Sequence, residues 1–274
     1  MKTSLVLALA MAGALASTSA LAQNACATGN TIEDGVLTIA TGNPAYYPWV
    51  IDDAPESGEG FESAVAYAVA ERMGFDADAV RWTRTSFDEA IQPGAKDFDI
   101  NLQQFSITEE RRRVVDFSEP YYSAAMAVLV RQPIVDGGLT ANLDALKGLK
   151  WGAVAGTTAL PVVMETIQPE DTPLLYDDTA NVSAAMRANQ IDAAIFDLPT
   201  ALYIAAVVLD DGVVLGQFAG SEAQGLDQFG LLMAKDSPLK TCVDEAVLSL
   251  TEDGTLASIE AEWLQDGTGA PVIE

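Results

Sequence analysis

Short apolar runs with strand character alternate along the chain with stretches whose apolar residues recur every three or four positions. The strand-like runs cover residues 36–40, 80–84, 98–102, 151–155, 174–176, 191–196, 213–218 and 229–234. A helix from Phe61 carries Val65, Val69 and Met73 on one face and is closed by Gly74. Ser86 and Glu89 form a capping box for a short helix that ends before Pro93. Further helices are predicted over 143–146, 159–167 with Pro161 in the first turn, 182–188 and 199–209. Two amphipathic helices finish the chain. The first has Ser237 as N-cap, Pro238 at N1, and Leu239, Val243, Ala246 and Leu250 on one face; the second carries Leu256, Ile259 and Trp263. Strand and helix in alternation predict an α/β protein with a mostly parallel sheet.

The N-terminus stands apart from this pattern. Lys2, an apolar run over residues 5–15 and the small-residue site Ala20-Leu21-Ala22 predict a signal peptide over residues 1–22, cleaved near Ala22. Export to the periplasm follows. Gln23-Asn24-Ala25 makes a poor lipobox before Cys26, so the expected product is soluble rather than lipid-anchored. No other stretch reaches the roughly 18 apolar residues a membrane-spanning helix needs. Acidic residues number 40 against 14 basic ones, a formal charge of −26, which argues against nucleic acid or an anionic membrane as partner. The chain has no histidine, which removes histidine-based catalytic triads and histidine metal sites. Its two cysteines, Cys26 and Cys242, suggest one disulfide in an exported protein; two separate thiols are the alternative.

Candidate chemistry concentrates in Ser106-Ile107-Thr108-Glu109-Glu110-Arg111, which follows the run 98–102. Ser106 and Thr108 are natural N-cap residues, and a helix starting there places Arg111 one turn in. Hydroxyls, free N–H groups and a guanidinium fork around one point make a site for a small carboxylate. Arg112 and Arg113 read as a solvated charge run.

This stretch, continued by Val115-Asp116-Phe117-Ser118, Pro120, Tyr121 and Tyr122, resembles the signature of the family 3 extracellular solute-binding proteins, the amino-acid receptors of ABC importers. The resemblance runs from Gly35 to Leu264. It implies a bilobal periplasmic-binding-protein fold of type II, two α/β lobes joined by two hinge segments. Residues 35–122 with 228–274 would form lobe 1 and residues 127–220 lobe 2, with hinges near 123–126 and 220–227. It also implies a ligand cleft at four strand ends, where ligands of open α/β sheets bind. At the first, Asn43 and Tyr46 stand in a Tyr-Tyr-Pro-Trp loop. Tyr46 and Phe87 hold the positions whose aromatics sandwich the ligand side chain, although isolated aromatics are more often core. At the second, Gln103, Gln104 and Phe105 precede Ser106; the two glutamines replace the small residues or hydroxyls common in the family. At the third, Thr157 and Thr158 follow Gly156 at the start of a helix. At the fourth, Asp197 either caps the next helix or, as in the family, binds the ligand's α-ammonium opposite Arg111.

The expected function is a monomeric periplasmic receptor that captures an amino acid or related zwitterion and delivers it to an ABC permease, with no cofactor, no metal and no catalysis. Asn43 stands where receptors for lysine or arginine often carry an acid, which argues against a strongly basic ligand. The alternative is an exported enzyme on the same scaffold, similar to cyclohexadienyl dehydratases, which would need a carboxylate, lysine or tyrosine as general acid or base. Ser237-Pro238-Leu239-Lys240 is formally S-x-x-K, but its companion motifs are missing and Pro238 makes it a helix start.

Overall fold

The computed structural model describes residues 27–218, 226–264 and 270–273. Strand β1 (Leu37–Thr41) is buried at every position, as expected of a parallel strand covered on both faces. Helix α1 (Phe61–Arg72), strand β2 (Val80–Arg84), helix α2 (Phe87–Ile91) and strand β3 (Ile100–Asn101) follow, and β1 pairs in parallel with both β2 and β3. Ser86 caps α2 by accepting from Glu89 N at 3.2 Å. The chain then forms β4 (Val115–Arg131), a strand of 17 residues.

Beyond it lie α3 (Gln132–Asp136), α4 (Leu143–Leu146), β5 (Trp151–Val154), α5 (Ala159–Pro161), β6 (Leu174–Tyr176), α6 (Thr179–Arg187), β7 (Ala193–Asp197), α7 (Leu198–Tyr203) and β8 (Gly212–Phe218). Both α5 and α7 run on as wider π-helical turns, Val162–Ile167 and Ile204–Val208. Strand β9 (Leu226–Ala234), helices α8 (Lys240–Glu252) and α9 (Thr255–Trp263) and a short β10 (Val272–Ile273) complete the described chain.

The strands join in the order β2-β1-β3-β9-β4-β7-β5-β6, with β8 also on β4 and β10 on β8. The flanks are parallel, but the centre is antiparallel, which corrects the expectation of a mostly parallel sheet. The reason is β4. Its first part, Val115 to Ala125, pairs with β9, whereas Met126 to Arg131 pairs with β7 and β8. One strand therefore crosses between the two halves and β9 returns beside it, so the two must run in opposite directions.

Each half has its own core. Phe61, Val65, Val69, Ile100, Leu231, Val243 and Leu250 pack on one face of the first half, and Phe98, Phe105, Phe117 and Leu232 on the other. In the second half the period of a strand sorts β4 residues by face: Ala127 and Leu129 pack with Val182, Met186 and Ala201, while Val128 and Val130 pack with Trp151, Val163 and Ile195.

The structure departs from expectation at two further places. The helix expected from Ser106 shrinks to one 3-10 turn, Arg111–Arg113, because β4 begins pairing with β9 at Val115. Thr108 still bonds into that turn, its hydroxyl accepting from Arg111 N at 3.1 Å, whereas Ser106 bridges to Phe229 as a strand residue. Helix α8 begins at Lys240 rather than at Pro238; Ser237 and Pro238 form the turn before it. The signal segment 1–22, Cys26 and most of the 220–227 segment lie outside the described residues. Cys242 is buried on α8 in the same core cluster as Ala27, the neighbour of Cys26 in sequence.

Candidate functional site

A cavity of about 190 Å³ opens between the two halves of the sheet, at the carboxyl ends of the parallel strands. The loop after β1 forms one wall. It is held by the first turn of α1, where Phe61 N and Glu62 N donate to Pro48 O and Trp49 O, both at 2.9 Å. Trp49 is buried among Phe61, Tyr122 and Phe229, and its Nε1 reaches across to Thr200 Oγ1 at 2.8 Å. Tyr46 is pushed well above the usual phenol range by burial and by Asp178. Asn43 and Tyr46 both line the cavity.

The segment after β3 supplies the floor. Gln103 is 8 % exposed and spends its amide N–H groups on Thr85 Oγ1 (2.8 Å) and Asn101 Oδ1 (3.1 Å). Gln104 sits in the left-handed region (φ 51°) and donates through its backbone N to Glu62 Oε1 at 2.8 Å and through its side chain to Glu62 Oε2. The Tyr121 hydroxyl completes the coordination of Glu62. Glu62 is 1 % exposed, and burial pushes its pKa up to about 7 against the pull of these donors.

Phe87 lines the cavity, but Phe105, expected to touch ligand, does not; it is fully buried beneath Phe87, ring centroids 4.8 Å apart. Arg111 is also absent from the lining. It is 7 % exposed, its guanidinium 5.3 Å from the centre of the Phe87 ring. Nη1 donates to Ser106 O at 2.7 Å and Nη2 to Gly156 O at 2.8 Å, so this side chain clasps the two halves together. Burial lowers its pKa to about 10, which leaves it charged at neutral pH.

Thr157 and Thr158 both line the cavity from the turn after β5. Thr157 Oγ1 donates back to Val154 O at 2.8 Å. Gly156 has φ 75°, and a Cβ there would come within 3.1 Å of Ile91 Cδ1, so the close approach of α2 favours glycine. Asp197 is both a helix cap and a lining residue of the cavity. It caps α7, accepting from Thr200 N at 2.8 Å, and it lines the cavity, where burial and then Asp227 raise its pKa to about 6.

Four acids of the cavity, Glu62, Asp177, Asp178 and Asp227, escaped the sequence reading. Asp227 Oδ2 accepts from Ser106 Oγ at 2.9 Å and from Thr158 Oγ1 at 2.7 Å, joining groups from the two halves. Along the chain it was hidden in an expected hinge loop. Glu62 carried a usable signal: with Val65, Ala66 and Val69 it falls on the buried stripe of α1, where an acid is out of place. With Asp197 these four make five carboxylates in the lining and no lysine or arginine among the described residues. Among those residues no three His, Cys, Asp or Glu side chains converge on a metal position.

Residues 37–266 match the family of bacterial extracellular solute-binding proteins, family 3. The L-cystine-binding protein TcyJ of Escherichia coli is 27 % identical over 205 residues, which are 74 % of this chain and 73 % of that one. The ABC transporter glutamine-binding protein GlnH of Bacillus subtilis is 27 % identical over 226 residues, 77 % of this chain and 76 % of that one. Among solved structures, an amino acid ABC transporter substrate-binding protein from Streptococcus pneumoniae bound to L-arginine is 26 % identical, with a TM-score of 0.66 over 85 % of this chain and 95 % of that one. With two α/β halves, a cavity at their strand ends and a family match across most of its length, the chain belongs to the family 3 bacterial extracellular solute-binding proteins.

Proposed function

We propose that the protein is a periplasmic receptor that captures an amino acid or a closely related zwitterion between its lobes and delivers it to an ABC permease. The observation that carries this reading is the cavity itself, built from both halves, with Asp197 inside it and aromatic side chains from Tyr46 and Phe87 beside it. A half-buried carboxylate held by a helix N-terminus stays available to bind an ammonium group, since its cap bonds occupy only part of its accepting capacity. Residues 35–122 with 228–274 serve as lobe 1 and 127–220 as lobe 2, hinged at 123–126 and 220–227. The named relatives are binding proteins, which favours reception over catalysis.

Calorimetric titration of Asp197→Ala tests the assignment. Removing one partner of a buried charge pair costs on the order of 2–5 kcal/mol, or roughly 30- to several thousand-fold in affinity. Arg112→Ala, whose one ion pair among the described residues is a 3.9 Å contact to an exposed Glu109, should change affinity by less than about threefold. If Asp197→Ala binds like the parent, the ligand does not sit in this cavity.

A further inference from the structure

The cavity is unbalanced in a way that bears on what it accepts. An amino acid brings a carboxylate, and the groups placed to read one are the hydroxyls of Ser106 and Thr158 and the guanidinium of Arg111. The two hydroxyls are already engaged, and Arg111 is buried away from the lining. A hydroxyl has a single hydrogen to donate, and those of Ser106 and Thr158 both go to Asp227 Oδ2, at 2.9 and 2.7 Å. Arg111 donates to two backbone carbonyls and does not reach the lining. Asp227 thus occupies with the protein's own charge the corner where a ligand carboxylate would be held, and any such carboxylate must approach a like charge.

The remaining surfaces point the same way. Gln103 is more than nine-tenths buried, its N–H groups are spent on Thr85 and Asn101, and its carbonyl oxygen is left to accept from whatever fills the cavity. Asp177, Asp178 and Asp197 add acceptors and negative charge, Glu62 adds a carboxyl that burial holds partly protonated near neutral pH, and the aromatic side chains of Tyr46 and Phe87 beside them suit a cation. The segment 219–225 has no lysine or arginine in its sequence to offset them. Asn43, read along the chain as an argument against a strongly basic ligand, is one neutral side chain among five carboxylates.

We propose that Asp227 is a specificity-determining residue and that the cavity selects ligands of net positive charge, guanidine- or amine-bearing compounds for which the carboxylate is not the main anchor. This rests on the receptor reading above and narrows it. Recognition here works through exclusion as much as attraction: a neutral or acidic amino acid meets repulsion that a cation does not.

Titration calorimetry of the mature protein with L-arginine, agmatine (arginine without its carboxylate), L-glutamine and L-glutamate tests it. Arginine and agmatine should bind within about threefold of each other. Glutamine should bind at least about tenfold, and glutamate about a hundredfold, more weakly than arginine. In Asp227→Asn, arginine and glutamine should gain about tenfold while agmatine does not. A parent protein that prefers glutamine or glutamate, or takes arginine tenfold over agmatine, overturns the charge assignment, and that ranking needs no variant to fold. So does an Asp227→Asn variant with an unchanged arginine-to-agmatine ratio. A protein that binds another neutral amino acid and none of these cations loses the charge assignment alone. One that binds no amino acid or amine loses the receptor reading as well.

Discussion

At the scale of single residues, the buried acids make the protein sensitive to pH. Burial raises Glu62 from its usual 4.5 to about 7. In that window the folded state holds a proton that the unfolded chain releases. The contribution is fully present below about pH 4.5 and is lost as pH rises through about 7, at roughly 1.4 kcal/mol per pH unit of the gap. Glu62→Gln removes the titration while keeping an acceptor for Gln104 or Tyr121. Its stability relative to the parent, measured by urea unfolding, should therefore improve between pH 5 and pH 8 by a few kcal/mol. An equal difference at both values would mean that Glu62 is not linked to protons. Asp197, raised to about 6, matters for binding instead. An ammonium ligand needs its ionised form, so affinity should fall towards tenfold per unit as pH drops below about 6, and should be flat above about 7.

At the scale of elements, the tail and α8 are the pair to watch. Ala27 is 3 % exposed and packs in the cluster that contains Cys242, Leu239 and Val243. Cys26 precedes it directly, which favours the disulfide expected from the sequence. Closing a loop of more than 200 residues would stabilise by about 5 kcal/mol in the chain-entropy model. Peptide mapping without reductant should recover Cys26 and Cys242 in one cross-linked species; recovery of both as alkylated thiols would rule the bond out. Strand β4 shows the opposite relation of sequence to structure. Residues 124–130, Ala-Ala-Met-Ala-Val-Leu-Val, lack the turn signals and alternation that mark a strand exposed on one face. They are strand because core clusters cover both faces and the edges are paired, Ala124 and Ala125 with β9 and the residues from Met126 onward with β7 and β8.

At the scale of the whole molecule, the two halves are joined by paired crossing strands, with Ser123, Ala124 and Ala125 opposite Gln228, Asp227 and Leu226. Contacts across the cleft come from Trp49 to Thr200, Arg111 to Gly156 O, Ser106 to Thr158, and the rings of Tyr47 and Tyr203, 4.6 Å apart. A two-lobed receptor that encloses its ligand should be more compact when saturated. Small-angle scattering should give a smaller radius of gyration with saturating ligand than without. Arg111→Ala, which loses the bond to Gly156 O, should weaken binding of every ligand at least about tenfold by opposing closure. If the radius does not change, binding does not drive closure.

What the sequence determined by itself was local in origin: the cap of α2, the hydroxyl of Thr108 bonded into the Arg111 turn, and the strand–helix alternation; of the eleven residues expected in the cleft from the family resemblance, nine line the cavity. Loops after strands carry short-range signals, because a capping hydroxyl or a Gly-Thr-Thr turn acts within a few residues. The tertiary structure decided the rest. Arg111 became a clasp between halves because Gly156 O, 45 residues away, came within reach. Phe105 became the support under Phe87 rather than a lining residue of the cavity. Asp227 joined Ser106 and Thr158, which lie 121 and 69 residues from it along the chain. A charge's partners and its desolvation depend on what surrounds it in space, and that arrangement exists only once the crossing strands have brought the two halves together.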